Sequence, residues 1–200
     1  MANLFLAGAV TVRHAEFPRD EELVQDLLLE YDCWMSRHGV MPMNLGQELT
    51  SLPGAYARPG GTILLAYNGT RPAGCAAVRV LGELCCDIRR LHVRGATDTP
   101  AVLRALLSEI RAFAQSLQLG HVTFRSFPAF DPKHALLREL GFQDDLALAR
   151  FRCDDLACPA DMVPAPLRLR LGGRETATAP REGLNSWLRR ALAITRSTSP

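Results

Sequence analysis

The sequence predicts a mixed α+β (α/β mixed) domain: a mostly antiparallel sheet flanked by helices, in the order β-α-α-β-β-β-α-β-α-β. Three observations predict it. Leu23, Leu27, Tyr31 and Trp34, and later Val102, Leu106, Ile110 and Phe113, recur at spacings of three and four and mark two long amphipathic helices. Between them lie three extended runs, 62–68, 73–81 and 84–93, the first closed by the turn signal Asn68-Gly69. After the second helix, extended and helical patterns alternate once more. A chain of 200 residues buries enough surface to need no metal or disulfide staple.

The elements follow in order. Val10 to Ala15 reads as the first strand, and Arg19 to His38 as a helix closed by Gly39. Leu45 to Leu52 is a short second helix, ended by Pro53-Gly54. The three extended runs form a meander. Thr99 then serves as N-cap and Pro100 as first helical residue of a helix stopped by Gly120, with Leu103, Leu107 and Leu117 completing its apolar stripe. His121 to Phe127 is a strand, Asp131 to Leu140 a helix ended by Gly141, and Leu146 to Cys153 a final strand.

Residues 1–153 therefore read as the domain. Residues 154–200 read as a Pro/Gly/Arg-rich linker, 154–183, followed by a short amphipathic helix built on Leu184, Trp187, Leu188, Ala191 and Leu192. The readings open for that helix are docking on its own domain, contact with a protein partner or a second copy of the chain, and a weak attachment to a membrane surface.

Composition excludes several classes. Twenty-three basic residues oppose 21 acidic ones, a net charge of +2 that gives no basic stripe for a nucleic acid. The six cysteines, Cys33, Cys75, Cys85, Cys86, Cys153 and Cys158, contain no C-x-x-C pair and read as small hydrophobes of a reducing compartment; no metal is expected. The apolar N-terminal run precedes the first basic residue, Arg13, unlike a signal peptide. With no 18-residue apolar run, no membrane partner is expected, and the expected location is cytoplasmic. Nucleophile-elbow, Walker and zinc-protease motifs are absent from the sequence.

Three stretches carry a resemblance. Gln47 to Leu81, Cys86 to Arg94 (CDIRRLHVR) and His134 to Phe142 (HALLRELGF) resemble the front half, the fourth strand and the closing helix-turn of the GNAT acetyltransferase superfamily. The similarity spans roughly residues 8 to 152. It implies a GNAT-like fold, acetyl-CoA as cofactor, and acetyl transfer to a small-molecule or peptide amine. Leu91, His92 and Val93 would offer their backbone to the acyl group and pantetheine. Asp98, Thr99, Pro100, Ala101, Val102 and Leu103 occupy the pyrophosphate-binding loop. Asp87 stands at the position of a general base, with Glu83 in reserve.

The departures from that pattern are specific. None of the loop's signature glycines is present, Pro100 has no N–H, and Asp98 brings a negative charge toward a diphosphate. Two like charges at 4 Å repel by about 1 kcal/mol in water and about 4 at an effective dielectric of 20. Leu137 replaces the tyrosine that protonates the leaving thiolate, and His134, one turn earlier on the same face, is its possible substitute. Two readings stay open: an N-acetyltransferase with an altered cofactor loop, or a non-catalytic binding module on the same fold. Simple alternation along 86–93 would put Cys86, Ile88, Arg90 and His92 on one face of the sheet, and Asp87, Arg89, Leu91 and Val93 on the other.

Overall fold

A computed structural model describes residues 9–42, 44–95, 99–145, 156–157 and 164–171. Its elements are β1 (Val10–His14), α1 (Glu21–Arg37), β2 (Met41–Pro42), α2 (Leu45–Thr50), β3 (Gly61–Asn68), β4 (Arg71–Val80), β5 (Cys85–Val93) and α3 (Thr99–Ser116). Beyond them come β6 (His121–Ser126), α4 (Lys133–Glu139), β7 (Gln143–Asp144), β8 (Leu156–Ala157) and β9 (Ala165–Arg170). Seven strands form one sheet in the order β1-β3-β4-β5-β6-β9-β7, antiparallel except at the β5–β6 pair.

Helices cover both faces, so the central strands carry apolar residues on both. Val24, Leu27, Leu28 of α1 and Leu45 of α2 pack with Ile63, Leu65, Cys75 and Ala77. On the other face Val102, Leu103, Leu106, Ile110 and Phe113 of α3, with Leu137 of α4, cover Leu64, Ala76, Val78, Cys86, Ile88 and Leu91. Each fully buried leucine contributes about 1.5–3 kcal/mol. Among the described cysteines, Cys75 and Cys86 are buried as expected, whereas Cys33 is exposed.

The structure departs from the sequence expectation at β9 and at both ends of α3. Ala165–Arg170, assigned to the linker, is β9 and lies between β6 and β7. Its alternating Leu167, Leu169 and Leu171 are buried while Arg168 and Arg170 point outward, a period of two that the neighbouring prolines and glycines disguised. The α3 helix ends at Ser116, and Gln118, not Gly120, takes the left-handed conformation (φ 57°) after it. Thr99 is the first helical residue, and its hydroxyl donates to the Gly95 carbonyl instead of capping. The proposed strand Leu146 to Cys153 and helix Leu184 to Leu192 lie outside the described residues.

Asp20 precedes α1, but its carboxylate does not cap it. It accepts two hydrogen bonds from the Arg13 guanidinium (2.5 and 2.7 Å) and one from the Glu16 N–H (2.7 Å), tying β1 to the start of α1. Arg13 holds the Asp20 carboxyl down at about 2. Its stabilisation is complete above the ordinary value of 3.8 and fades as pH falls toward 2. Asp20→Asn should therefore remove about 1–2 kcal/mol at pH 7 and flatten the acid limb of a stability–pH curve measured by urea denaturation.

Gly74 is required by a close approach between strands. A Cβ there would stand 2.4 Å from the His92 carbonyl oxygen, inside any real contact. Gly74→Ala should cost about 1–3 kcal/mol in denaturant melts, because backbone rather than a flexible side chain must move.

Candidate functional site

The site begins with one extra residue in β5. Ile88 pairs with Val78 and Arg90 with Ala77, so Arg89 is a bulge. The bulge shifts every later side chain to the opposite face. Leu91 therefore joins Cys86 and Ile88 in the core beneath α3, and Arg90 and His92 turn toward α1 and α2. Simple alternation had paired Arg90 with Ile88 and is corrected here.

The same place marks the end of a ladder. β5 and β6 run parallel and pair from Cys85↔His121 to Ile88↔Phe124. β5 continues against β4 as far as Val93↔Gly74. The segment Arg89 to Val93 is thus paired on one edge only, and β6 diverges from it toward Ser126. Backbone groups of an edge without a neighbouring strand are available to a ligand.

Charged side chains line the α1/α2 side of this opening. The Arg90 guanidinium, 3% exposed, donates to Glu48 Oε2 of α2 at 2.7 Å and stacks over the Tyr31 ring at 5.7 Å. The Tyr56 hydroxyl donates to the other Glu48 oxygen. The Glu30 carboxylate of α1 pairs with His92 Nε2 at 3.0 Å and accepts from Arg94 Nε at 2.8 Å. These donors hold Glu30 below the ordinary carboxylate range, Arg94 foremost. Burial pushes His92 below the ordinary histidine value, against the pull of Glu30.

α4 supplies the third wall. Lys133 is buried, with Nζ 2.8 Å from Asp131 Oδ1 and 4.3 Å from the centre of the Trp34 ring. The neighbouring His134 places Nδ1 3.2 Å from Ser126 Oγ, beside the diverging end of β6. A separate cavity of about 340 Å³, among His14, Arg58, Glu109 and Phe113, lies near the C-terminal end of α3, at the far end of the sheet.

The sequence-predicted residues sort clearly. Leu91, His92 and Val93 lie on the one-sided segment of β5, and His134 stands beside Ser126 at the end of β6. Asp87 faces Thr123 in the paired part of the ladder, and its carboxylate accepts from the Thr123 hydroxyl at 2.8 Å. Burial pushes the Asp87 carboxyl up. Glu83 is exposed in the turn before β5, about 25 Å along the strand from Leu91. It is not part of the site. Asp98 lies outside the described residues. In α3, Val102 and Leu103 are fully buried and point into the core, so only Thr99, Pro100 and Ala101 of that stretch reach the surface.

Sequence reasoning missed Glu30, Arg94, Glu48, Asp131 and Lys133. Glu30 and Glu48 sit on helices where a solvated carboxylate is the ordinary outcome, and nothing local distinguishes them. Lys133 carried one signal: it is the lone lysine in the chain among 22 arginines.

The sequence matches no family model and no curated protein. Solved structures match the fold along most of the chain. An acetyltransferase from Streptococcus agalactiae is 15% identical, with 82% of this chain and 99% of that one aligned and a TM-score of 0.61. A GNAT-family acetyltransferase from Staphylococcus aureus is 12% identical over the same shares, also at 0.61. The PaiA N-acetyltransferase of Thermoplasma acidophilum, solved with coenzyme A, is 10% identical over 80% of this chain and 98% of that one, at 0.60. The likeness is one of fold.

Removing one partner of a buried pair strands the other's charge. Glu48→Ala should therefore destabilise the protein by about 3–5 kcal/mol in denaturant melts, whereas Glu48→Ala combined with Arg90→Met should recover most of the loss.

Proposed function

We propose that this chain, which carries the fold of the GNAT acetyltransferases, is an acyl-CoA-dependent N-acetyltransferase. The observation that carries the proposal is the one-sided segment Arg89 to Val93, opened by the Arg89 bulge and the early end of the β5–β6 ladder. An extended pantetheine arm is a chain of amides, and it can take the place of the missing strand against such an edge.

The residues present fit the cofactor in part. The edges of Leu91, His92 and Val93 would hold the acyl and pantetheine groups. The N–H groups of Thr99 and Ala101, in the first turn of α3, would face the pyrophosphate with the positive end of the helix dipole. Pro100 donates nothing, so the cradle is poorer than one rich in glycine. Because Leu103 is buried in the core, it does not obstruct this approach. Bound acetyl-CoA would supply a thioester carbon as the electrophile.

The acceptor side is equally defined by this chain. Glu30 of α1 contacts His92, while Tyr31 and Trp34 of the same helix pack on Arg90 and Lys133; an amine would enter beside Glu30. Leu137, in the place of a tyrosine, is fully buried and carries no proton. His134 is the titratable group of α4 nearest that role, and its hydrogen bond to Ser126 holds it at the end of β6.

Isothermal titration with acetyl-CoA tests the reading. Binding in the micromolar range is expected, and Asp98→Arg should tighten it by up to about tenfold by removing a like charge near the diphosphate. No heat for either protein at millimolar ligand would remove the enzyme reading and leave the non-catalytic module.

A further inference from the structure

We propose that His92 is the proton acceptor of the transfer, and that Glu30 and Arg94 are its positioning residues. This deepens the function proposed above and rests on it. Four observations carry it. His92 is on the one-sided segment of β5 where the acyl group would lie. The Arg89 bulge turns its ring toward α1, away from the core beneath α3. The ring is held: Nε2 lies 3.0 Å from Glu30 Oε2, and Arg94 fixes that carboxylate from the other side. A carboxylate at Nε2 keeps the proton on that nitrogen and leaves the lone pair on Nδ1.

The alternative base is poorly placed. The Asp87 oxygen already accepts from Thr123, inside the paired ladder and about 13 Å along the strand from Leu91.

The surroundings on balance favour a neutral ring. Burial, Lys133 at the start of α4 and Arg94 on β5 lower its proton affinity, and Glu30 of α1 alone raises it. Cys75 on β4, the register partner of His92, contributes no charge because burial pushes its thiol to about 12. A ring that is neutral at pH 7 is ready to accept.

The step balances. His92 Nδ1 takes one N–H proton from the acceptor ammonium. The freed amine lone pair forms the new N–C bond as the thioester C–S bond breaks. The amine's second proton reaches the departing thiolate through water, and the imidazolium returns its proton to solvent.

The test uses the full chain, acetyl-CoA and two probe amines at high concentration: ethanolamine, an ammonium at neutral pH, and hydroxylamine, which is already uncharged there. His92→Gln should retain the natural melting curve and acetyl-CoA affinity. It should lose about 100-fold or more in turnover with ethanolamine and less than about threefold with hydroxylamine. Glu30→Gln should move the acidic limb of the ethanolamine pH profile to lower pH. Ring-nitrogen NMR should show His92 as the Nε2–H tautomer in the natural protein and a mixture in Glu30→Gln. Equal turnover of His92→Gln on both amines, or a loss that follows Asp87→Asn instead, would overturn the proposal while the acetyltransferase reading stands. A natural protein that acetylates neither amine removes the reaction, and this proposal with it.

Discussion

One inserted residue organises this molecule. Were Arg89 paired in register rather than bulged, β5 would keep a strict period of two, Arg90 would face the core beneath α3, and Leu91 would face the carboxylates of α1 and α2. Burying an unpaired guanidinium in that core costs several kcal/mol, so the bulge and the sequence Arg90-Leu91 specify each other. The ladder between β5 and β6 ends at Ile88↔Phe124, immediately before the bulge. Face, register and opening thus follow from a single local irregularity.

The charges around the opening hold helices to a strand. Glu30 joins α1 to β5 through His92 and Arg94, and Glu48 joins α2 to β5 through Arg90. Such pairs add little net stability, because desolvation offsets most of the attraction of the buried Arg90–Glu48 pair and solvent screens the half-exposed Glu30–Arg94 pair. Their contribution is geometric. An apolar contact would allow α1 to slide along the sheet, whereas a carboxylate shared between an imidazole and a guanidinium permits one arrangement. The side chains at the opening are therefore set by these pairs.

Much of the fold was legible in the sequence, and much of the site was not, for a physical reason. Apolar spacing in Leu23 to Trp34 and Val102 to Phe113, and Asn68-Gly69, gave the helices and the meander, because burial and turn chemistry act over a few residues. Leu167, Leu169 and Leu171 carried the same kind of signal and were overlooked amid prolines and glycines. The bulge left no such trace. C-D-I-R-R-L-H-V reads as a regular strand, and only the pairing of β4 with β5 shows which residue is supernumerary. Glu30 and His92 are 62 positions apart, so their meeting depends on how α1 packs across the sheet.

In the proposed transfer two protons would move, and they weigh differently on the buried Leu137 and on His92 beside Glu30. A thiol like cysteine ionises near 8.5, so a thiolate leaving unprotonated at pH 7 forfeits about 1.5 pKa units, or about 2 kcal/mol. An alkylammonium like lysine ionises near 10.4, and deprotonating it at pH 7 costs about 3.4 units, or about 5 kcal/mol. Water can meet the first demand more readily than the second. A site of this kind tolerates a buried Leu137 in place of an acid far better than it tolerates the lack of a base. The sheet spends its irregularity accordingly: the Arg89 bulge presents His92 to the opening, while Leu137 packs against the core.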